Sequence, residues 1–124
     1  MVSDGFNRNS ASGVSLADNA DEQLLYAAKA NSMELTKAAL AQDGNPNFQD
    51  EDGMTALHHA AAHGSRTALR LLVASGKCDY LIPDHRGRYP SDLAIAWSRD
   101  FAVARLLTRK RLNQAHVLGV SPRP

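Results

Sequence analysis

Apolar residues recur along this chain with a helical period, and the stripes they form come in pairs. From Asp21 onward, Leu24, Leu25, Ala27 and Ala28 share one helical face, and Asn31-Ser32 interrupts it. Leu35, Ala38, Ala39 and Leu40 form a second stripe, which Gly44-Asn45-Pro46-Asn47 ends. The spacing therefore predicts a helix, a short turn, a second helix and a loop. A second pair follows. Thr55 is placed to cap a helix bearing Leu57, Ala60 and Ala61, Gly64 stops it, and Leu69, Leu71, Leu72 and Val73 continue to Gly76. In a third pair Pro90 suits a first helical turn and Leu93, Ala94 and Ile95 follow. Ser98-Arg99 falls where a turn is due, and Phe101, Val103, Leu106 and Leu107 form the last stripe. Thr108-Arg109-Lys110-Arg111 then reads as a cationic helix C-terminus, which the helix dipole favours. Helices this short are marginal alone in water, so each must lean on its neighbours.

The pairs repeat. Asp50-Glu51-Asp52-Gly53 returns 34 positions later as Asp84-His85-Arg86-Gly87, each time just ahead of an apolar helix. The predicted fold is all-α, a solenoid of repeated helix pairs. Its units are residues 21–49, 50–83 and 84–112. Residues 1–20, rich in Ser, Asn, Gly and Asp, read as a flexible leader, and residues 113–124 as a frayed tail.

The middle unit carries Asp50, Gly53, Thr55, Leu57, His58, Ala60, Ala61, Gly64, Leu71, Leu72 and Gly76 in the order and spacing of an ankyrin repeat, which it resembles. Ala56 stands where the family has proline. The third unit keeps Asp84, Gly87, Pro90, Ala94, Leu106 and Leu107, with Tyr89, Ser91 and Asp92 where the family has Thr, Leu and His. The first keeps Leu24, Ala27, Ala28, Leu40 and Gly44. Weakening of the pattern towards the ends fits terminal units, which are covered on one side only. The resemblance implies a right-handed stack with hairpin-like turns. It also implies alanines on inner helices squeezed between neighbours, and a structural His58 bonding the turn Thr and nearby backbone.

Composition adds bounds. In 124 residues, 44% hydrophobic and 22% charged is the balance of a globular chain rather than a disordered one. No apolar run reaches the roughly 18 to 20 residues of a membrane span, and the first 20 residues lack the apolar core of a secretory signal. A lone Cys78 forms no internal disulfide and fits a reducing, cytoplasmic setting; it is expected to pack as an inert thiol. The net charge of +1 hides an asymmetry. Up to residue 52 there are nine acids and three Lys/Arg; beyond it there are four acids and eleven Lys/Arg. Such a bipolar chain can steer a charged partner, or remain a monomer with weak head-to-tail self-association.

Candidate chemistry is sparse. His59 and His63 are four apart, a zinc-compatible spacing, but a tetrahedral site needs three or four ligands and no Glu or second Cys accompanies them. They are expected as exposed residues of the inner helix. No Gly-rich loop, nucleophile elbow or Cys–His pair is present, so the chain reads as non-catalytic, with no cofactor or metal. Arg105, Arg109, Lys110 and Arg111 form a basic cluster that could meet phosphates, which makes nucleic acid or another polyanion the second choice of partner.

The leading expectation is recognition of a partner protein. In the family this chain resembles, turn tips and the exposed side of each inner helix meet partners. Carried over by position, the surface is Glu51, Asp52, Met54, Ala62 and His63 in the middle unit, and His85, Arg86, Arg88, Ala96 and Trp97 in the third. Lys29 and Ala30 come from the first. Trp and Arg dominate interface energetics, which singles out Trp97 and Arg88. The alternative for Trp97 is packing over the end of the core.

Overall fold

The computed structural model describes residues 16–119. Among the described residues there are helices and turns and no strand. The helices are α1 (Leu16–Ala30), α2 (Met33–Ala41), α3 (Ala56–His63), α4 (Arg66–Ala74), α5 (Pro90–Leu93) and α6 (Phe101–Leu118). A π-helical turn, Ala94–Ser98, follows α5 directly. α1 packs on α2 and α3, α3 on α4 and α5, and α5 on α6, so three helix pairs are stacked in chain order. Leu24, Leu57 and Leu93, one from each inner helix, are fully buried, as is Leu72 of α4. Alanine at positions 27, 28, 60, 61 and 94 lets the inner helices approach closely, and all five are buried.

Both ends depart from the expected boundaries. The helix starts at Leu16 rather than Asp21, and Ala20, one turn before Leu24, is buried. Of the expected leader, residues 1–15 lie outside the described residues. At the other end α6 continues to Leu118, and Gly119 caps it, so residues 113–118 are helix and not tail. The reason is long-range: the Gln114 carboxamide accepts from the Tyr80 amide at 2.7 Å and donates to Asp79 at 2.9 Å, while Ala115 is buried. Thr108–Arg111 accordingly sits mid-helix, too far from the C-terminus to benefit from the dipole.

The π-helical turn has a countable origin. The N-caps Thr55 and Ser65 of the middle unit are 10 residues apart, whereas Tyr89 and Asp100 of the third are 11 apart. One extra residue is absorbed by widening a single turn, the usual basis of a π-bulge. Arg99 then takes the left-handed conformation, φ 56°, that ends the inner helix.

The two projecting turns have the same internal geometry. The Asp50 carboxylate accepts from the amides of Asp52 and Met54 at 2.9 Å each, and Asp84 accepts from those of Arg86 and Arg88 at the same distances. Gly53 and Gly87 both have φ +78°, in the left-handed region open to glycine. The tips touch: the His85 amide donates to the Asp52 carbonyl at 2.9 Å.

Candidate functional site

Thr55 caps α3 through its hydroxyl, and the His58 ring returns the contact by accepting from the Thr55 amide at Nδ1, 3.1 Å away. Nδ1 is therefore the acceptor, and Nε2–H donates to the Arg88 carbonyl at 2.9 Å. Burial holds the ring below the usual histidine range, against the opposing pull of that carbonyl and of Asp84. His58 is thus a neutral strut between the middle and third units. Asp92 occupies the matching position in α5, where its carboxylate accepts from the Tyr89 amide at 2.8 Å. This explains how the third unit manages without a histidine there.

The second turn is fixed by an ion pair. Arg88 Nε donates to the Asp84 carboxylate at 2.8 Å, and the Asp84 side chain is wholly shielded. Burial alone would raise the Asp84 pKa, but the Arg88 amide, the Arg88 guanidinium and the Arg86 amide outweigh it and hold the carboxyl below its usual range. The guanidinium also lies over the Trp97 ring, 5.8 Å from its centroid, within cation–π range. Trp97 is 58% exposed on the π-helical turn, so it does not serve as a lid on the core.

Asp52, Met54, His85, Arg86, Arg88 and Trp97 together line one pocket of about 240 Å³ between the turn tips and the π-helical turn. Six of the twelve proposed contact residues thus converge. Glu51 lies outside it, in a neighbouring concavity of about 570 Å³ with Glu22, Lys29 and Asp52. His63 is exposed at the end of α3, its ring 6.2 Å from that of His59. Lys29, Ala30 and Ala96 are also exposed.

Three assignments need correction. Met54 is 7% exposed and packs with Ala62 and Leu93, so Met54 and Ala62 belong to the core; Met54 can offer only the floor of the pocket. The Met54 amide is held by Asp50, which turns the side chain inward. His59 is buried too, with Nε2 2.7 Å from Asp50. Burial lowers its pKa despite that carboxylate, while Asp50 itself is held low: burial opposes this, but the His59 bond and the Met54 and Asp52 amides prevail. The pair is a neutral imidazole donating to a carboxylate. Among the described residues no three or more His, Cys, Asp or Glu side chains gather as a metal would need.

The structural weight of Asp50 and Asp84 had a signal in the sequence, the recurring Asp-x-x-Gly. The proposed turn contacts follow directly after these two aspartates, which anchor the turn tips.

The basic cluster does not form one patch. Arg105 and Arg109 are exposed, Lys110 is half-buried, and the Arg111 guanidinium stacks on the Tyr89 ring at 4.3 Å. Cys78 packs against the core with Sγ donating to the Leu72 carbonyl at 3.2 Å, and burial pushes its pKa up to about 12. A thiol that remains protonated is a poor nucleophile. No helix among the described residues is long and apolar enough to cross a membrane.

A family profile described as ankyrin repeats, in three copies, matches residues 24–116. The chain belongs to the ankyrin-repeat family, whose members are generally protein–protein interaction modules and typically non-catalytic. It is also similar to zinc finger CCCH domain-containing protein 50 of Oryza sativa subsp. japonica, at 50% identity over 48 residues. The match covers 36% of this chain and 7% of that protein's length.

Proposed function

We propose that the chain is a non-catalytic module that binds a partner protein through the pocket between its second and third turns. The observation that supports this best is Trp97, more than half exposed, with the Arg88 guanidinium over its ring and Met54 beneath. A large aromatic face flanked by fixed cations suits a partner side chain that is apolar and adjoins a carboxylate. Arg86 widens the cationic rim, and His85 and Asp52 complete the polar lining. The proposed compartment is the cytosol, on the single free, half-buried thiol.

Nothing carries the zinc-finger character of the rice relative to this chain, because a CCCH finger needs three cysteines and this sequence has Cys78 alone. Polyanion binding gains no support from a basic cluster divided around α6, with Arg111 engaged on Tyr89.

The test is quantitative affinity capture with wild type, Trp97→Ala, Arg86→Ala and, as a control, an Arg105→Gln/Arg109→Gln variant. Partners of the pocket should bind the first two variants more weakly by about 1–2 kcal/mol and the control as wild type. Equal retention on Trp97→Ala and wild type would refute the assignment.

A further inference from the structure

The exposed large hydrophobic side chains among the described residues lie in the first unit, in the third and, as Val117 and Leu118, at the end of α6, and none in the middle unit. At the start of the stack Tyr26 and Leu35 line a groove of about 410 Å³ with Glu22 and Gln23. At its end Ile95, Phe101 and Leu112 line one of about 540 Å³ with Arg105 and Arg109. The first groove carries an acid and no cation, the second two cations and no acid.

The internal repeat tells which way these residues face. Tyr26 and Leu35 occupy the positions of His59 and Ala68 in the middle unit. There, the Ala68 amide donates to Asn31 of the first unit, and His59 bonds Asp50, which lines one concavity with Glu22 and Lys29 of that unit. Ile95 and Phe101 occupy the positions of Ala61 and Arg66. The Ala61 carbonyl accepts from Ser98 of the third unit, and Arg66 pairs with Asp100 of that unit. Tyr26 and Leu35 therefore face where a preceding unit would sit, and Ile95 and Phe101 where a following one would. Leu35, Ile95 and Phe101 belong to apolar stripes, yet among the described residues all three stand exposed.

We infer that these end faces are a heterologous self-association site, the basic end of one copy stacking on the acidic end of the next. Two apolar end faces of opposite charge, oriented as successive units of one stack, specify a second copy of this chain as the occupant. The acidic half and basic half of the sequence extend the same complementarity beyond the grooves. Head-to-tail contact leaves one face free at each end, so it builds an open series rather than a closed dimer.

Sedimentation velocity on the full chain tests this. At low ionic strength the weight-average mass should climb with concentration, and should fall back in about 0.5 M salt, where charges more than a few ångströms apart are screened. Tyr26→Arg blocks one face and Phe101→Asp the other, with circular dichroism confirming that both variants fold. Each alone should stay monomeric, and an equimolar mixture should associate through the two unaltered faces. Trp97→Ala should associate as wild type, which separates this result from pocket binding. A wild-type mass that stays monomeric at all concentrations, a mixture that remains monomeric, or single variants that still associate would each overturn the inference. The first is the outcome if residues 1–15 or another protein's surface covers these faces instead.

Discussion

The Nε2 of His58 lies 2.9 Å from the carbonyl oxygen of Arg88, a contact spanning 30 residues that fastens the middle unit to the third. Its Nδ1 is held by the Thr55 amide, so the ring must be neutral to satisfy both partners. His58→Ala leaves the buried Thr55 amide unpaired and strips the Arg88 carbonyl of one of its two donors, the other being the Asp84 amide; it should destabilise by about 1–3 kcal/mol, measured by urea denaturation near pH 7.5.

The same residue fixes a pH dependence. In the unfolded chain histidines take up a proton near pH 6.5, whereas burial keeps both His58 and His59 neutral to lower pH in the fold. As pH falls through about 6.5, the unfolded state binds more protons and stability declines until the folded values are reached. Above about pH 7.5 these two rings contribute no slope. The wild-type urea midpoint should therefore be flat at mildly alkaline pH and fall between about pH 6.5 and 5, with a shallower fall in His58→Ala. A midpoint that rises on acidification over that range would contradict the assignment.

Gly53 and Gly87 offer a matched pair. Their φ angles are equal, so Ala at either position incurs the same left-handed penalty of about 1–2 kcal/mol. A Cβ at Gly53 would also fall 2.7 Å from the His85 amide nitrogen and against the His85 ring, while at Gly87 nothing lies within 4 Å. Gly53→Ala should thus lower the thermal midpoint clearly more than Gly87→Ala. Equal losses would mean that the turn tips do not pack as described.

The paired helices were legible because apolar residues recur at the helical period within each stripe, as Leu24 with Ala28, Leu57 with Ala61 and Leu69 with Leu72, and because Asp-x-x-Gly marks the second and third units. What periodicity could not give was the covered side of a stripe. Leu35, Ile95 and Phe101 have the spacing of core residues, but they lie on the outer faces of the first and third units, where no described unit packs against them. His59 and Met54 were misplaced for the converse reason. Each occupies a position that looks free within one unit and is closed by Asp50 or Leu93 from outside its own helix. The length of α6 escaped because Gln114 is held by Asp79 and Tyr80, 34 to 35 residues away. The convergence of Asp52, His85, Arg86, Arg88 and Trp97 rested on turn and inner-helix positions, which the repeat register does encode.

Asp100 serves two partners. It caps α6 by accepting from the Val103 amide at 3.2 Å, and it pairs with Arg66 of α4 through two hydrogen bonds of 2.7 and 2.8 Å. Arg66 is the main reason its pKa lies below the usual carboxylate range. This contribution is present above the unfolded value of about 3.9 and disappears as pH falls through the lower folded one. Asp100→Asn keeps an oxygen acceptor at the cap and should lose less stability than Asp100→Ala, which forfeits about 1 kcal/mol of capping. Only the wild type should show sensitivity to salt from the exposed pair. Identical denaturation midpoints for the two variants would remove the capping role.

Arg88 and Trp97 meet in the proposed pocket, yet their substitutions should differ in kind. Trp97 is mostly solvated, and Trp97→Ala should change stability by no more than about 0.5 kcal/mol. Arg88→Ala instead strips a shielded Asp84 carboxylate of its cation, leaving it only the Arg86 and Arg88 amides. Losing a charged hydrogen bond there should destabilise by about 1–3 kcal/mol. Arg88→Lys restores the charge without the guanidinium plane, and should recover part of the stability but little of the stacking on Trp97. Chemical denaturation read beside Trp97 fluorescence follows both effects at once, since the chain has a single tryptophan. If Arg88→Ala were as stable as wild type, the Asp84 pair would have no part in holding the second turn. The pocket would then rest on the Asp84–amide bonds alone.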